Sequence, residues 1–241
     1  QLVLLAIDPT DGPRDVAEGY SEGADAPYVP LPSCWASAWL PRPEGGVLLG
    51  CENTGQAHLL DTRVRRVTGT IELGSRLEAG SFNDAGDRLY GVALWDDARV
   101  RSWRWPSGEV AAERLVGPFN WSALHVPADG RVWVSRFLEG SVLRLDAQDL
   151  RGTAAMRLSF GVRALHHDPA TDLVWAAAAY SGRLWAVDAR DPRRRRSLAL
   201  CGQTRDLATD DRGRLLVGTD CGLFRVDPTV AFADWGLDDR G

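Results

Sequence analysis

The 241-residue sequence contains no lysine, and all 28 of its basic residues are arginine. Its formal net charge is −5, which argues against a nucleic-acid partner because phosphate contacts usually need a basic face. No apolar run approaches the roughly 20 residues of a membrane-spanning helix. The apolar stretch near the N-terminus lacks a preceding basic region and is too short for a signal peptide. We therefore expect neither nucleic acid nor a membrane as a partner.

Cysteine and histidine are also scarce, with four residues of each. The cysteines show no Cys-x-x-Cys pair and no Cys/His spacing suited to zinc. Sequence alone leaves three disulfide pairings open, and we predict instead that all four are buried free thiols: Cys34, Cys51, Cys201 and Cys221. Free thiols favour a reducing, cytoplasmic location, with secretion as the alternative. No serine-hydrolase, zinc-protease, phosphate-loop or dinucleotide motif is present, so a complete catalytic constellation is not expected.

A sequence motif, here called the repeat phrase, recurs along the chain and consists of glycine, alternating apolar residues and aspartate. Its copies lie at residues 55–61, 140–146, 182–188 and, one residue shorter, 222–227. Each follows a short β-rich run, such as GRVWV at 130–134. The spacing of about 42 residues is typical of β-propeller blades. The sequence therefore predicts an all-β fold, a single β-propeller domain (residues 1–241) built from four-stranded antiparallel blades.

The repeats place the blades at approximately 33–74, 75–118, 119–160, 161–201 and 202–241. Each repeat opens with a strand of small residues, which suits the crowded inner position, and continues through an Asp/Pro/Gly turn. One bulky residue recurs on the second strand: Leu48, Tyr90, Trp133, Trp175 and Leu216. We predict that Trp133 and Trp175 pack between blades rather than form a binding site. The aspartates that end the third strands are expected to accept backbone N–H bonds rather than to catalyse: Asp61, Asp146, Asp188 and Asp227.

The N-terminal residues fit the repeat only in part. Residues 2–8 (LVLLAID) match the third-strand phrase, but no first or second strand precedes them. We expect residues 1–32 to supply a connector and a closing strand that completes the last blade, giving five blades. Closure of the ring removes exposed sheet edges. The alternative is a chain that begins inside a sixth blade.

Candidate binding residues lie where each chain segment leads into a first strand. These positions and the turns between second and third strands are predicted to share the face around the channel mouth. The five positions hold Trp35, Glu78, Trp121, Arg163 and Arg205. Arginine can bind a carboxylate or phosphate through two hydrogen bonds, and tryptophan can stack on a flat ligand or anchor a peptide. In the competing structural interpretation, arginine and glutamate pair across the channel and the tryptophans fill it.

Residues 77–110 resemble a repeat of the SMP-30/gluconolactonase propellers. Glu78, followed by Ala-Gly-Ser-Phe, is similar to that family's metal-ligand glutamate motif, and Asn120 in NWSALHVPADGRVWV resembles its asparagine repeat. The resemblance implies a divalent cation such as Ca²⁺ or Zn²⁺ at the mouth and hydrolysis of lactones or esters. Arg205, however, stands where the family's aspartate is expected. Residues 70–92 (TIELGSRLEAGSFNDAGDRLYGV) are equally similar to the YVTN, NHL and WD40-like propellers, which implies only the fold.

Three functions follow from these observations. The leading prediction is a non-catalytic recognition module without a cofactor, which binds a protein partner or a small anionic or aromatic ligand at the channel mouth. The first alternative is a metal-dependent hydrolase that uses Glu78 and Asn120. The second is a structural scaffold within a larger polypeptide.

Overall fold

The structure is a computed structural model that describes residues 34–64, 66–94, 98–152, 154–210 and 212–226. Nineteen strands form five antiparallel sheets. Blade 1 contains β1 (Ala36–Pro41), β2 (Val47–Cys51), β3 (Gln56–Asp61) and β4 (Arg66–Glu72). Blade 2 contains β5 (Ala79–Phe82), β6 (Arg88–Val92), β7 (Arg99–Arg104) and β8 (Val110–Leu115).

The remaining three sheets continue the same order along the chain. Blade 3 contains β9 (Ala123–Val126), β10 (Arg131–Arg136), β11 (Ser141–Asp146) and β12 (Ala154–Arg157), with a 3-10 turn at Pro127–Asp129. Blade 4 contains β13 (Val162–Asp168), β14 (Leu173–Ala178), β15 (Arg183–Asp188) and β16 (Arg195–Ala199). The described strands of blade 5 are β17 (Thr204–Thr209), β18 (Leu215–Thr219) and β19 (Gly222–Val226).

The sheets lie around a ring as a five-bladed β-propeller, which confirms the predicted fold. The inner strand of each blade contacts the inner strand of the next, from β1 through β5, β9 and β13 to β17. The predicted closing strand at residues 2–8 lies outside the described residues. Among those residues, no helix has the length and apolar character needed to cross a membrane.

Bulky second-strand side chains fill the spaces between blades, as predicted for Trp133 and Trp175. Leu48, Tyr90, Trp133 and Trp175 are all at most 2% exposed. Trp133 packs against Val174 and Val187 of blade 4, in one of four apolar clusters that separate successive blades. Leu216, the equivalent residue of blade 5, is half-buried. Three of the four largest fully buried side chains among the described residues stand at this position: Tyr90, Trp133 and Trp175.

The repeated aspartates organise the turns after the third strands. Asp61 Oδ1 accepts hydrogen bonds from the backbone nitrogens of Arg63 (2.8 Å) and Val64 (3.3 Å). Asp146 and Asp188 accept from the residues two and three positions ahead in the same way. The predicted structural role is therefore confirmed at these three positions, and Asp227 lies outside the described residues.

The prediction of four free thiols is wrong. Cys34 is bonded to Cys51 and Cys201 to Cys221, with sulfur–sulfur distances of 2.02 and 1.99 Å. Each first partner lies just before an inner strand, and each second partner lies at or just beyond the end of the neighbouring antiparallel strand. The antiparallel pairing brings these positions together, with Cα atoms 5.2 and 6.2 Å apart. The two disulfides thus join corresponding segments of blades 1 and 5.

Candidate functional site

Backbone hydrogen bonds fasten the segment before each inner strand to the turn after the second strand. Glu52 donates to the Trp35 carbonyl in blade 1, and Phe137 donates to the Phe119 carbonyl in blade 3. Asp220 donates to the Gln203 carbonyl in the same way in blade 5. The predicted arrangement, with both kinds of segment on one face of the ring, is therefore present. We call it the channel-mouth face.

Arg163 and Trp121 form the central pair of this face. Trp121 lies just before β9 of blade 3, and Arg163 lies on β13 of blade 4. The guanidinium carbon of Arg163 is 4.4 Å from the centroid of the indole ring. At this distance the cation is attracted by the electron-rich face of the ring. Packing of adjacent blades thus produces a cation–π pair from residues 42 positions apart, one repeat length.

The electrostatic surroundings of Arg163 differ from those of Arg205. Burial lowers the pKa of Arg163, and the positive charge of Arg205 lowers it further. Asp206 and Tyr180 raise this pKa and so oppose the shift. The Arg205 guanidinium binds Asp220 Oδ1 at 2.7 Å. Within the described ranges, by contrast, no carboxylate forms an ion pair with Arg163. A negative group placed beside Arg163 would therefore relieve the repulsion between two neighbouring cations.

An aromatic cluster continues from Trp121 across blades 3 and 4. It consists of Trp121, Phe137, Phe160 and Tyr180. Phe137 is nearly buried and contacts the other three rings at centroid distances of 5.5 to 5.9 Å. Phe160 and Tyr180 stack on each other at 5.7 Å and remain 52% and 59% exposed. Neighbouring exposed aromatic rings of this kind are typical of interaction surfaces.

Sequence reasoning did not identify Phe137 or Phe160 as site residues. The signal was available, because Phe160 lies just before blade 4 and Phe137 lies just after β10. Both positions belong to the segments that form the channel-mouth face. They were missed because the residue selected in blade 4 was Arg163, three positions further along the chain.

Trp35 and Glu78 occupy the corresponding places in blades 1 and 2. The Trp35 backbone nitrogen donates to Asn53 Oδ1 at 2.8 Å, while its side chain is 64% exposed. Glu78 is half-buried, and its backbone nitrogen donates to the Val92 carbonyl. The Trp95–Asp97 turn of blade 2 lies outside the described residues. The assignment of Trp35 and Glu78 to a binding site stays a prediction.

A metal centre at Glu78 and Asn120 stays a prediction. The Asn120 side chain is buried and donates from Nδ2 to the Gly117 carbonyl at 2.5 Å, which fixes the loop before blade 3. Arg163, on the neighbouring blade 4, carries a positive charge that would oppose a cation beside Asn120. In the described part of the chain, no group of three His, Cys, Asp or Glu donors includes Glu78.

A basic groove lies elsewhere, at the outer edges of blades 3 and 4. Its volume is about 380 Å³, and it is lined by Arg144, Arg157, Arg193 and Arg195 together with Asp191. The Arg144 guanidinium is already bound to Asp129 at 2.7 Å. Arg157 and Arg195 lie on the exposed outer strands, as expected for charged residues that protect a sheet edge, and Arg193 lies in the turn before β16. The channel-mouth face, with its cation–π pair and exposed rings, is therefore the stronger candidate for recognition.

Solved structures with the same fold come from proteins of different kinds. Hydrazine synthase of Kuenenia stuttgartiensis superposes with a TM-score of 0.64 at 16% identity, covering 83% of this chain and 58% of that one. The Cps50 (Swd1) β-propeller domain of Myceliophteria thermophila gives 0.63 at 18% identity, covering 86% and 70%. A functionally unknown protein from Desulfotomaculum acetoxidans gives 0.61 at 11% identity, covering 72% and 59%.

These similarities establish the fold alone, because propellers of such low identity perform unrelated functions. The chain spans less than two thirds of the length of the hydrazine synthase chain that it matches. No protein-family model matches the sequence. No curated protein matches it either.

Proposed function

We propose that this propeller is a non-catalytic recognition module that binds a protein partner through its channel-mouth face. The observation that carries the proposal is the Arg163–Trp121 pair, in which a guanidinium without a carboxylate partner in the described structure stacks on an indole ring. The charge of Arg205 lowers the pKa of Arg163 although Arg205 is itself paired with Asp220, so the unpaired cation of this face, among the described residues, is Arg163. Tryptophan, tyrosine and arginine are the residues most enriched in binding hot spots.

The chemistry of the face indicates what kind of protein segment it would bind. A carboxylate next to Arg163 would form charge-assisted hydrogen bonds and offset the repulsion from Arg205. Phe160 and Tyr180 lie beside this position with half of their surface exposed. An aromatic side chain next to the carboxylate would stack on these rings. We therefore infer a partner segment in which an acidic residue adjoins an aromatic one.

Selection from a phage-displayed library of linear peptides tests the proposal. Wild-type protein is expected to enrich peptides that combine Asp or Glu with Phe, Tyr or Trp. Replacing Arg163 with alanine should remove the preference for acidic residues in the selected peptides. Replacing Trp121 with alanine should reduce the enrichment of all of these peptides. The matched control is Arg212→Ala, since this exposed arginine lies on the opposite end of blade 5, in the turn between β17 and β18.

Three results would reject the proposal. Enrichment that survives both the Arg163 and Trp121 replacements would place recognition on another surface. Binding of phenylacetate by the wild type, without selection of any peptide, would assign the face to a small anionic ligand. Hydrolysis of a lactone that depends on added Ca²⁺ or Zn²⁺ and on Glu78 would establish the hydrolase alternative instead.

A further inference from the structure

A second group of side chains lies within blade 1, apart from the aromatic cluster of the recognition site. Cys34 and Cys51 form the disulfide of this blade, and His58 lies on the neighbouring strand β3. The two sulfurs and one imidazole nitrogen all lie within 4.8 Å of one another. The three residues are 5%, 0% and 2% exposed. Three potential metal donors are thus enclosed together.

The imidazole of His58 is held as a metal ligand would be. Its Nδ1 lies 2.9 Å from the Thr70 hydroxyl oxygen on β4. When Nδ1 donates to this oxygen, Nε2 carries a free lone pair. Nε2 is buried and has no hydrogen-bond partner among the residues that the structure describes. An outer partner that fixes the ring while the other nitrogen points to the metal is the usual arrangement of metal-binding histidines.

A buried polar atom without a partner costs stability, so an apolar residue would be favoured at position 58 by packing alone. Leu49 lies on β2 and Leu60 lies on β3, the strands of Cys51 and His58, and both leucines are buried. Strand β3 therefore accommodates apolar side chains, so packing alone does not explain a histidine at position 58. Its unpaired Nε2 atom is available to bind a ligand. The only donors grouped with it among the described residues are the two sulfurs.

We propose that blade 1 contains a latent Cys₂His site, which binds a thiophilic divalent cation such as Zn²⁺ when the Cys34–Cys51 disulfide is reduced. A dithiol reductant transfers two electrons and two protons, giving two cysteine thiols and its own cyclic disulfide. The cation then binds both thiolates and His58 Nε2, and the two thiol protons pass to solvent. Water completes the coordination, since zinc prefers four ligands.

The donor separations suit this coordination. With zinc–sulfur bonds of about 2.3 Å and zinc–nitrogen bonds of about 2.0 Å, tetrahedral donors lie between 3 and 4 Å apart, on the order of 3.5 Å. Breaking the sulfur–sulfur bond lets the two sulfurs separate to this distance. The upper limit of 4.8 Å already places His58 within reach. Small rotations of the three side chains therefore complete the site.

Blade 5 supplies a natural control. Cys201 and Cys221 form a disulfide between the corresponding segments of their blade, but both are exposed. Within the described residues, this pair belongs to no group of three His, Cys, Asp or Glu donors. The proposal therefore distinguishes two similar disulfides, of which only that of blade 1 forms a metal site on reduction.

The experiment uses the full chain, reduced under argon and titrated with Co²⁺ as a spectroscopic substitute for zinc. The Cys201→Ser/Cys221→Ser variant should bind one equivalent, with a thiolate-to-cobalt charge-transfer band that Zn²⁺ abolishes. The Cys34→Ser/Cys51→Ser variant should show no band. Replacing His58 with alanine should weaken binding at least tenfold, and Thr70→Val should weaken it on the order of 10-fold through loss of the outer partner. X-ray absorption of the reduced, zinc-loaded wild type should show two sulfurs and one imidazole.

The absorption measurement needs no replacement, so it decides the question even where a variant fails to fold. A reduced wild-type protein that binds no Co²⁺ overturns the proposal. Binding that survives in the Cys34→Ser/Cys51→Ser variant also overturns it, as does a zinc environment without an imidazole. None of these results bears on peptide binding at Arg163 and Trp121, so the two proposals are judged separately.

Discussion

Gly50 of blade 1 lies directly against the backbone carbonyl of Leu77, which leads into blade 2. A Cβ atom at position 50 would lie 2.4 Å from that oxygen and 2.8 Å from the Cβ of Ala38. Neither neighbour is the flexible end of a side chain, so neither can move aside readily. The contact fixes how closely the first two blades approach each other.

Replacing Gly50 with alanine should lower the free energy of unfolding by about 2 kcal/mol, in the range of an overpacked core. The matched control is Gly218→Ala. Gly218 has the same place next to a bulge in blade 5, yet its nearest neighbour would be 3.9 Å from an added Cβ. That change should leave the stability unchanged or raise it by up to about 1 kcal/mol, because alanine lowers the conformational entropy of the unfolded chain. Urea unfolding measures both, and equal effects would show that the Gly50 contact is unimportant.

Asp129 joins a buried indole and a half-buried guanidinium in blade 3. Its Oδ2 atom accepts hydrogen bonds from Trp133 Nε1 at 3.1 Å and from the Arg144 guanidinium at 2.7 Å. The Arg144 guanidinium also lies 5.4 Å from the centroid of the Trp133 ring. One carboxylate therefore satisfies a buried indole and a half-buried cation at once.

Replacing Asp129 with alanine should destabilise the protein by about 3 kcal/mol, because a cation and an indole N–H would lose their acceptor. Thermal and urea unfolding would measure the loss. The exposed pair of Arg151 and Asp149, 3.6 Å apart, provides the comparison. Replacing Arg151 with alanine should change the stability by less than about 0.5 kcal/mol. A similar cost for both changes would contradict the role assigned to Asp129.

The repeat phrase was sufficient to predict the fold, because it places small residues on inner strands and one large residue between blades. Trp133 and Trp175 illustrate this, since both are buried between blades as their shared position requires. The turns after Asp61, Asp146 and Asp188 follow for the same reason, since their hydrogen bonds are local.

Contacts between distant segments were harder to predict. The two disulfides were missed because a spacing of 17 or 20 residues has no meaning until the strand register is known. Once the register is set, each pair lies at adjacent ends of two paired strands. At the channel mouth, the repeat placed Trp121 and Arg163 on one face. Their stacking depends on side-chain directions across two blades, which no repeat pattern specifies.

The two disulfides should differ in their reduction rates. Cys201 and Cys221 are exposed, whereas Cys34 and Cys51 are at most 5% exposed. A thiol reductant must reach a sulfur atom, so the blade 5 disulfide should open first. Brief reduction, alkylation and peptide mass mapping should find label on Cys201 and Cys221 before the other pair. Earlier labelling of Cys34 and Cys51 would contradict this order.

Removing the exposed disulfide should also have a thermodynamic effect. Cys201 and Cys221 are separated by 20 residues in sequence. In the chain-entropy model, closing a loop of this length stabilises the fold by about 3 kcal/mol. The Cys201→Ser/Cys221→Ser variant should lose this amount in urea unfolding relative to the oxidised wild-type protein.

The stability of the protein should decrease on mild acidification. Burial lowers the pKa of all four histidines below the ordinary value near 6.5: His58, His125, His166 and His167. The unfolded chain therefore binds protons at a higher pH than the folded chain does. The stabilisation is complete above the unfolded pKa and is lost as the pH falls through 6.5 towards the folded values. The pKa values of Asp61 and Asp210 are also lowered, but their contributions disappear only below about pH 4.

His125 offers the clearest single test of this dependence. Its ring stacks on Tyr90 at 5.6 Å, and burial is the main cause of its lowered pKa, with His167 lowering it further. Asp84 and Asp129 oppose the shift, and Asp84 Oδ1 lies 4.0 Å from Nδ1. Replacing His125 with glutamine removes one titrating group, so the unfolding free energy should fall less steeply between pH 7.5 and 5.5, about one unit either side of 6.5. Urea unfolding at three pH values measures both slopes. An unchanged slope in the variant would show that protonation of His125 does not oppose folding.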